Sequence, residues 1–267
     1  MSRKVLINDT SNLNGAVNGV VRNGVNGHEN FKDDMSQYST SNANGYHDVY
    51  SHQSHQEHSP VIIVYNMDPE RFNCKKLFNI LSLYGNINKI NFIRNKEGCA
   101  MVEFASSQAA MEAIRMLNNI SVFGNRLNIE VSRKMYVEEI RNPYDLPNGH
   151  KSFENFFLDR NNRFNTPQQA AKNRLTPPTK TLHFYNVPKM DDDSMMDIFS
   201  DHNAPFPTKI TWFDSKNTRG GTVTGLVEFE SVEEASEALI IVNNSPIDSD
   251  AGPRPYVIKL CFARNTT

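Results

Sequence analysis

Met101–Asn119 reads MVEFASSQAAMEAIRMLNN, and Leu226–Asn244, starting 125 residues further on, reads LVEFESVEEASEALIIVNN. Aligned without gaps, the two share V-E-F, a serine, the spaced A-x-E-A and a closing Asn-Asn. A second echo precedes each copy: VYNM at Val64–Met67 and FYNV at Phe184–Val187. Repetition at this spacing predicts two domains of one fold.

Working outward from the first copy, PVIIVYNM (60–67) is an apolar run bounded by proline and reads as a strand. Asn73 is placed to cap a helix carrying Leu77, Phe78 and Leu81 that ends near Gly85. INKINFI (87–93) alternates as a strand, with Ile90 and Phe92 on one face. CAMVEF (99–104) is a third strand. Ser106 opens a second helix whose Ala110, Ala113, Ile114 and Leu117 form one stripe. RLNIEVS (126–132) closes the unit. The second unit repeats the order with TLHFYNV, DDSMMDIFSDH, KITWFD, TVTGLVEF, a helix striped by Ala235, Ala238, Leu239 and Val242, and YVIKLCFA. Ser231 and Glu234 read as a capping box. The acidic run Asp191–Asp193 suits the start of a helix. Trp212 alternates inward and is expected in the core. The element order is β-α-β-β-α-β twice, so the predicted class is α+β, two tandem split-βαβ sandwiches. The expected boundaries are a disordered tail over 1–58, domains over 59–134 and 180–265, and a linker over 135–179.

Composition narrows the function. With 28 Lys+Arg against 30 Asp+Glu, the net charge of −2 excludes a strong global field for nucleic acid, so any such binding must use local basic patches. Three widely spaced cysteines (Cys74, Cys99, Cys261) offer neither a disulfide framework nor zinc spacing and suit a reducing compartment. No apolar run reaches the length of a membrane span. No phosphate-loop, dinucleotide, metalloprotease or hydrolase-elbow motif is present, so neither an enzyme, a cofactor nor a metal is expected. The tail, with NGAVNGVVRNGVNG and SNANGYHDVYSHQSHQEH, has too little apolar content to order itself.

Alternation leaves one face of each sheet without helices. The first unit presents Ile63, Tyr65, Asn91, Ile93, Cys99, Met101 and Glu103 there. The second presents His183, Tyr185, Thr211, Phe213, Thr224, Leu226, Lys259 and Cys261. Flat rings on an open sheet can stack on unpaired bases. Asn91, Asn128 and Ser132 are placed to read base edges. Lys89, Arg94, Lys96, Arg133 and Lys134 in the first unit, with Lys216, Arg219 and Arg264 in the second, lie where phosphates would pass.

At this point LHFYNV, EGCAMVEF and TVTGLVEF resemble the two signature strands of the RNA recognition motif family. The usual basic and aromatic positions of the longer signature hold Glu97, Cys99 and Met101 in one unit and Thr222, Thr224 and Leu226 in the other. LYGNINKI, RNNRFNTPQQAAKNR, TLHFYNVP and PYVIKLCF narrow the likeness to the last two domains of the heterogeneous nuclear ribonucleoprotein L group, more distantly the polypyrimidine tract-binding group. That likeness implies a monomer that binds CA-rich or pyrimidine-rich single-stranded pre-mRNA in the nucleus, with shuttling to the cytoplasm as an extension. It also implies a part in splicing, with splicing proteins as further partners. Four such domains are usual in the group, which implies a short isoform, a fragment or a divergent member. The resemblance further implies that the linker packs the domains back to back with both sheets outward.

The linker is itself patterned. Phe153, Phe156, Phe157 and Phe164 call for burial. Thr166-Pro167-Gln168-Gln169 reads as a cap, a first-turn proline and a box glutamine opening a short helix. The rival expectation is a protein-interaction module, because losing third-strand aromatics is what a degenerate domain that binds peptides would show.

Overall fold

The computed structural model describes residues 58–213, 221–247 and 255–264. The first half runs β1 (Val61–Tyr65), α1 (Cys74–Leu81), β2 (Ile87–Phe92), β3 (Ala100–Phe104), α2 (Ser107–Leu117), a small hairpin β4 (Ser121–Val122) and β5 (Asn125–Arg126), then β6 (Asn128–Val131). β7 (Phe153–Asn155) and α3 (Pro167–Lys172) lie between the halves. The second half runs β8 (Thr181–Pro188), α4 (Asp192–Asp201), β9 (Lys209–Trp212), β10 (Thr222–Glu228), α5 (Val232–Val242), the pair β11 (Pro246–Ile247) and β12 (Tyr256–Val257), and β13 (Lys259–Phe262).

The helices start where the capping side chains predict. Asn73 Oδ1 accepts from Lys76 N at 2.9 Å, Ser106 Oγ from Ala109 N at 3.2 Å, and Asp191 Oδ1 from Ser194 N at 2.9 Å. Ser231 Oγ accepts from Glu234 N, but the Glu234 carboxylate returns to Glu230 N, one residue outside the expected box. Thr166 caps α3 through Gln169 N with Pro167 in its first turn.

Both sheets are antiparallel. The second has the order β13-β8-β10-β9; the first has five strands, β6-β1-β3-β2-β7, where the sequence predicts four. β7 comes from the linker and lies against the edge strand β2, pairing Phe153 with Asn91 and Asn155 with Lys89. Covering that edge also removes a row of free amides and carbonyls that would otherwise template aggregation.

Inward-facing Ile62, Val64, Ile90, Val102 and Phe104 pack on Leu77, Leu81, Ala113 and Leu117. Leu182, Phe184, Val227 and Leu260 pack on Met195, Phe199, Ala238 and Leu239. All of these belong to one buried cluster running through both halves. The halves meet through α1 and α5. Asn79 Nδ2 donates to Ile240 O at 2.9 Å, Asn243 Nδ2 donates to Asn79 O at 2.8 Å, and Asn244 Nδ2 donates to Asn79 Oδ1. Since the helices of each half back onto those of the other, the open sheet faces point away from each other.

The segment over 135–179 is ordered against both halves. Phe92 N donates to Ser152 O and Phe156 N to Asn88 O, each at 2.7 Å. Asn162 then substitutes for a strand residue: its Oδ1 accepts from Ile87 N and its Nδ2 donates to Ile87 O and Phe156 O. Arg163 crosses to the second half, where Nη2 donates to Asn243 Oδ1 and Leu260 O, both at 2.9 Å. Of the four linker phenylalanines, Phe153 and Phe156 are buried, the latter stacked on Phe78 at 4.5 Å; Phe164 is half-buried. Phe157 corrects the expectation, being 65% exposed in an open surface hollow it shares with Asn88 and Lys89 of β2, where no core lies to cover it. Trp212 is also corrected: it meets Phe184 edge-on at the core's rim, with its indole N–H donated to Asp192, so it is half-buried rather than core.

Candidate functional site

On the first sheet the register sets two rows across the open face: Glu130, Ile63, Met101, Asn91 and Phe153, then Val61, Glu103, Lys89 and Asn155. The second row is not open. Val137 is fully buried against Val61 and Phe153, with Met101 and Ile140 packed alongside. Val137 N donates to Glu103 Oε2 at 2.6 Å, and its carbonyl accepts from Lys89 Nζ at 3.0 Å. Residues 135–140 thus form a strap across the sheet.

Several expectations change as a result. Lys89 does not reach toward solvent phosphates; it is held by Val137 O, with Glu139 at 3.7 Å. Met101 is partly roofed by the strap. Ser132 is buried and its hydroxyl accepts from Lys134 N, so it reads no base edge. Cys99 is buried where the alternation predicts exposure, in the stem of the turn where Ile93 N donates to Cys99 O. Lys96 Nζ sits 4.8 Å from the Tyr65 ring centroid and Arg94 stacks over Tyr144 at 4.9 Å, so two predicted phosphate contacts lie on the protein's own rings. Ile63, Tyr65, Asn91 and Ile93 stay half-exposed. Asn128 is exposed and bonded to Glu130; Arg133 is exposed, and Lys134 pairs with Glu138 at 3.2 Å.

The second face differs in kind. Thr211, Leu226, His183 and Cys261 lie in one row, and Lys259 pairs with Tyr185 in the next. The His183 ring lies 5.8 Å from that of Tyr185 and 6.1 Å from that of Phe213, both at 26° between planes. Two rings, one from the same strand and one from the β9 side, therefore stack against that of His183 on the sheet. A bulge shapes this floor. Register shifts between Val223 and Gly225, and a Cβ on Gly225 would sit 2.2 Å from Thr211 O and 2.6 Å from the Phe184 ring. Only glycine allows β9 and β8 to close on β10 there.

The bulge frees Thr224, whose hydroxyl lies 2.7 Å from both Phe184 O and His183 Nε2. A carbonyl only accepts, so the hydroxyl proton goes to Phe184 O, and Thr224 Oγ accepts from His183 Nε2–H. That leaves Nδ1 as an acceptor, 3.8 Å from Cys261 Sγ. Burial pushes the His183 pKa down, which favours the same neutral ring. Burial likewise pushes the Tyr185 hydroxyl and the Cys261 thiol up, with Arg163 opposing in both cases.

This face is the floor of a groove of about 740 Å³. The linker forms the opposite wall, with Leu83 and Tyr84 of the first half at one end; Tyr84 O–H donates to Thr176 O. Arg160, Arg163, Lys172, Arg174, Lys259 and Arg264 line the groove, and among the described residues that line it none is acidic. The local basic patch that the near-neutral composition calls for is therefore here. Its four linker cations went unassigned in the sequence, although their clustering within 15 residues was a usable signal. Phe213, Leu226, Lys259, Cys261 and Arg264 are brought together as expected; Thr211 is half-buried in the same row but does not line the groove. Lys216 and Arg219 lie outside the described residues.

Two family models match the chain. One, described as RNA recognition motif (RRM, RBD or RNP domain), covers residues 34–159; the other, described as RRM domain, covers 172–267. The chain belongs to the RNA recognition motif family. Human heterogeneous nuclear ribonucleoprotein L is 39% identical over 206 residues, 77% of this chain and 34% of that protein. Arabidopsis thaliana polypyrimidine tract-binding protein homolog 3 is 31% identical over 182 residues, 67% of this chain and 38% of that protein. The chain thus spans about a third of the length of the curated relatives it matches. Among solved structures, the Sex-lethal RNA recognition domains 1 and 2 from Drosophila melanogaster are 20% identical, covering 77% of this chain and all of that one at a TM-score of 0.25, too low to carry an argument.

Proposed function

We propose that the chain binds single-stranded RNA, CA-rich or pyrimidine-rich, chiefly in the groove over its second sheet. The observation that carries this is the juxtaposition, in one groove, of two rings stacked against His183 with six cations and, among the described residues, no carboxylate. Bases have flat faces and the backbone is anionic, so a floor for stacking beside a basic wall suits a single strand. The first sheet offers a smaller patch around Tyr65, Ile63 and Asn91. Because the two faces point apart, one strand using both would have to loop between them. Membership of the family and likeness to heterogeneous nuclear ribonucleoprotein L support a nuclear role in pre-mRNA processing and splicing. The strap on the first sheet, together with the missing third-strand aromatics, favours a second reading for that half alone, contact with splicing proteins.

The test is fluorescence anisotropy with CA-repeat, CU-repeat and oligo-A RNA, on the full chain and on a His183→Ala/Tyr185→Ala/Phe213→Ala variant. Binding of the repeats that the variant loses supports the reading. No binding by the unaltered chain at micromolar concentration overturns it.

A further inference from the structure

We propose that Arg160 and Arg163 of the linker, with Lys259 on β13, form a seat for a backbone phosphate of the bound strand, so that the linker is part of the binding site. This rests on the RNA-binding reading and deepens it.

Arg163 is 7% exposed, yet among the described residues every acceptor it finds is neutral: Nη2 bonds Asn243 Oδ1 and Leu260 O, and its buried Nε–H has no acceptor there. Among the described residues Lys259 is likewise held by amides, its Nζ donating to Asn161 Oδ1 at 2.6 Å and Asn244 Oδ1 at 2.7 Å. Among the described residues neither cation lies in an ion pair. The two cations act on each other: after desolvation, Arg163 is the strongest influence pushing the Lys259 pKa down, to about 8, with Arg160 adding to it and Asp159 opposing.

Burying like charges side by side, with Asp159 acting on Lys259 but in no ion pair with it, costs stability. A stability requirement alone would have favoured an apolar residue or a carboxylate at one of these positions. An anion entering the groove relieves both the desolvation and the repulsion. Its chemistry follows from the surroundings: the Arg163 guanidinium lies 5.8 Å from the Tyr185 ring centroid, and Tyr185 pairs with Lys259 across the strands. An anionic group tethered to a flat, stackable ring fits both features at once, and a nucleotide of the bound strand supplies both, as a lipid headgroup or a phosphorylated serine or threonine does not.

The test compares the full chain with Lys259→Gln and Arg160→Gln, leaving Arg163 in place because it also holds the two halves together. RNA affinity is measured against salt concentration. Each variant is expected to flatten the log–log salt dependence by about 0.7, the value for one contact to a single strand, and to weaken binding several-fold at physiological salt. Tyr185→Ala, by contrast, is expected to lose affinity at an unchanged slope. An uncharged peptide nucleic acid of the same sequence should not distinguish Lys259→Gln from the unaltered chain. Unchanged slope and affinity in both variants overturn the seat while leaving RNA binding intact. If the unaltered chain binds no RNA, the reading above fails, and NMR titration with inorganic phosphate decides the seat separately. Shifts of the Asn161 and Asn244 side-chain amides that vanish in Lys259→Gln support it; their absence up to about 20 mM phosphate, the range of weak single-ion contacts, overturns it.

Discussion

Single residues carry the proposed chemistry unequally. His183 is held in one tautomer by Thr224 and stacked in line with Tyr185 and Phe213, so its ring is oriented before any ligand arrives. Tyr65 has no such company and already bears Lys96 on its ring. Removing Tyr185 or His183 is expected to cost about 1–3 kcal/mol of RNA affinity, the usual worth of a base stack, and removing Tyr65 clearly less; anisotropy on the three alanine variants checks the order. Lys259 adds a pH dependence. Its pKa falls from 10.5 to about 8 on folding, through burial first and then Arg163, while Asp159 pulls the other way; burial raises the pKa of Tyr185 and Cys261 nearby. Between those values the unfolded chain binds the proton more readily than the folded one, so this residue makes stability rise with pH in that window. RNA affinity should move oppositely, falling as pH climbs through about 8 and the cation is lost. Lys259→Gln should flatten both profiles, measured by urea unfolding and anisotropy.

At the scale of elements, the two sheets differ because different pieces of chain cross them. The first is roofed by a strap tied down by one carboxylate and one ammonium group; the second is walled by a linker standing off its face. Glu103→Ala removes the acceptor for Val137 N and is expected to cost about 1–3 kcal/mol locally, seen as faster hydrogen exchange over residues 135–140 with α1 and α2 unchanged. The β10 bulge is equally specific. Gly225→Ala drives a methyl into Thr211 O and the Phe184 ring, and about 3 kcal/mol of destabilisation is expected by urea unfolding, the upper part of the range for overpacking.

Over the whole molecule, the halves share one buried cluster and a polar seam centred on Asn79, Asn243 and Arg163. They are therefore expected to tumble as one body and unfold in one transition. Asn243→Ala strands the buried Arg163 guanidinium and leaves Leu260 N unpaired, at a cost of about 2–3 kcal/mol. NMR relaxation should then give separate rotational correlation times for the two halves, where the unaltered chain gives one.

The repeated words of the sequence proved to be structural instructions. In each Tyr-Asn pair the asparagine takes a left-handed turn at φ 65° or 62° and donates its amide to Arg126 O or Val257 O, pinning the hairpin of its own half. In each Asn-Asn pair the first residue accepts from the closing strand, at Ile129 N or Leu260 N, and the second turns left-handed at φ 68°. Such features, like the helix caps and the inward and outward alternation of the strands, depend on neighbours a few residues apart. That is why sequence alone determined the element order, most of the core and the ring-bearing faces. The strap, the fifth strand, the groove and the pairing of Arg163 with Lys259 join residues tens of positions apart through backbone groups that any residue offers and charges whose partners no local pattern names. The tertiary structure alone decided them, because only packing determines which distant carbonyl, amide or cation shares a surface.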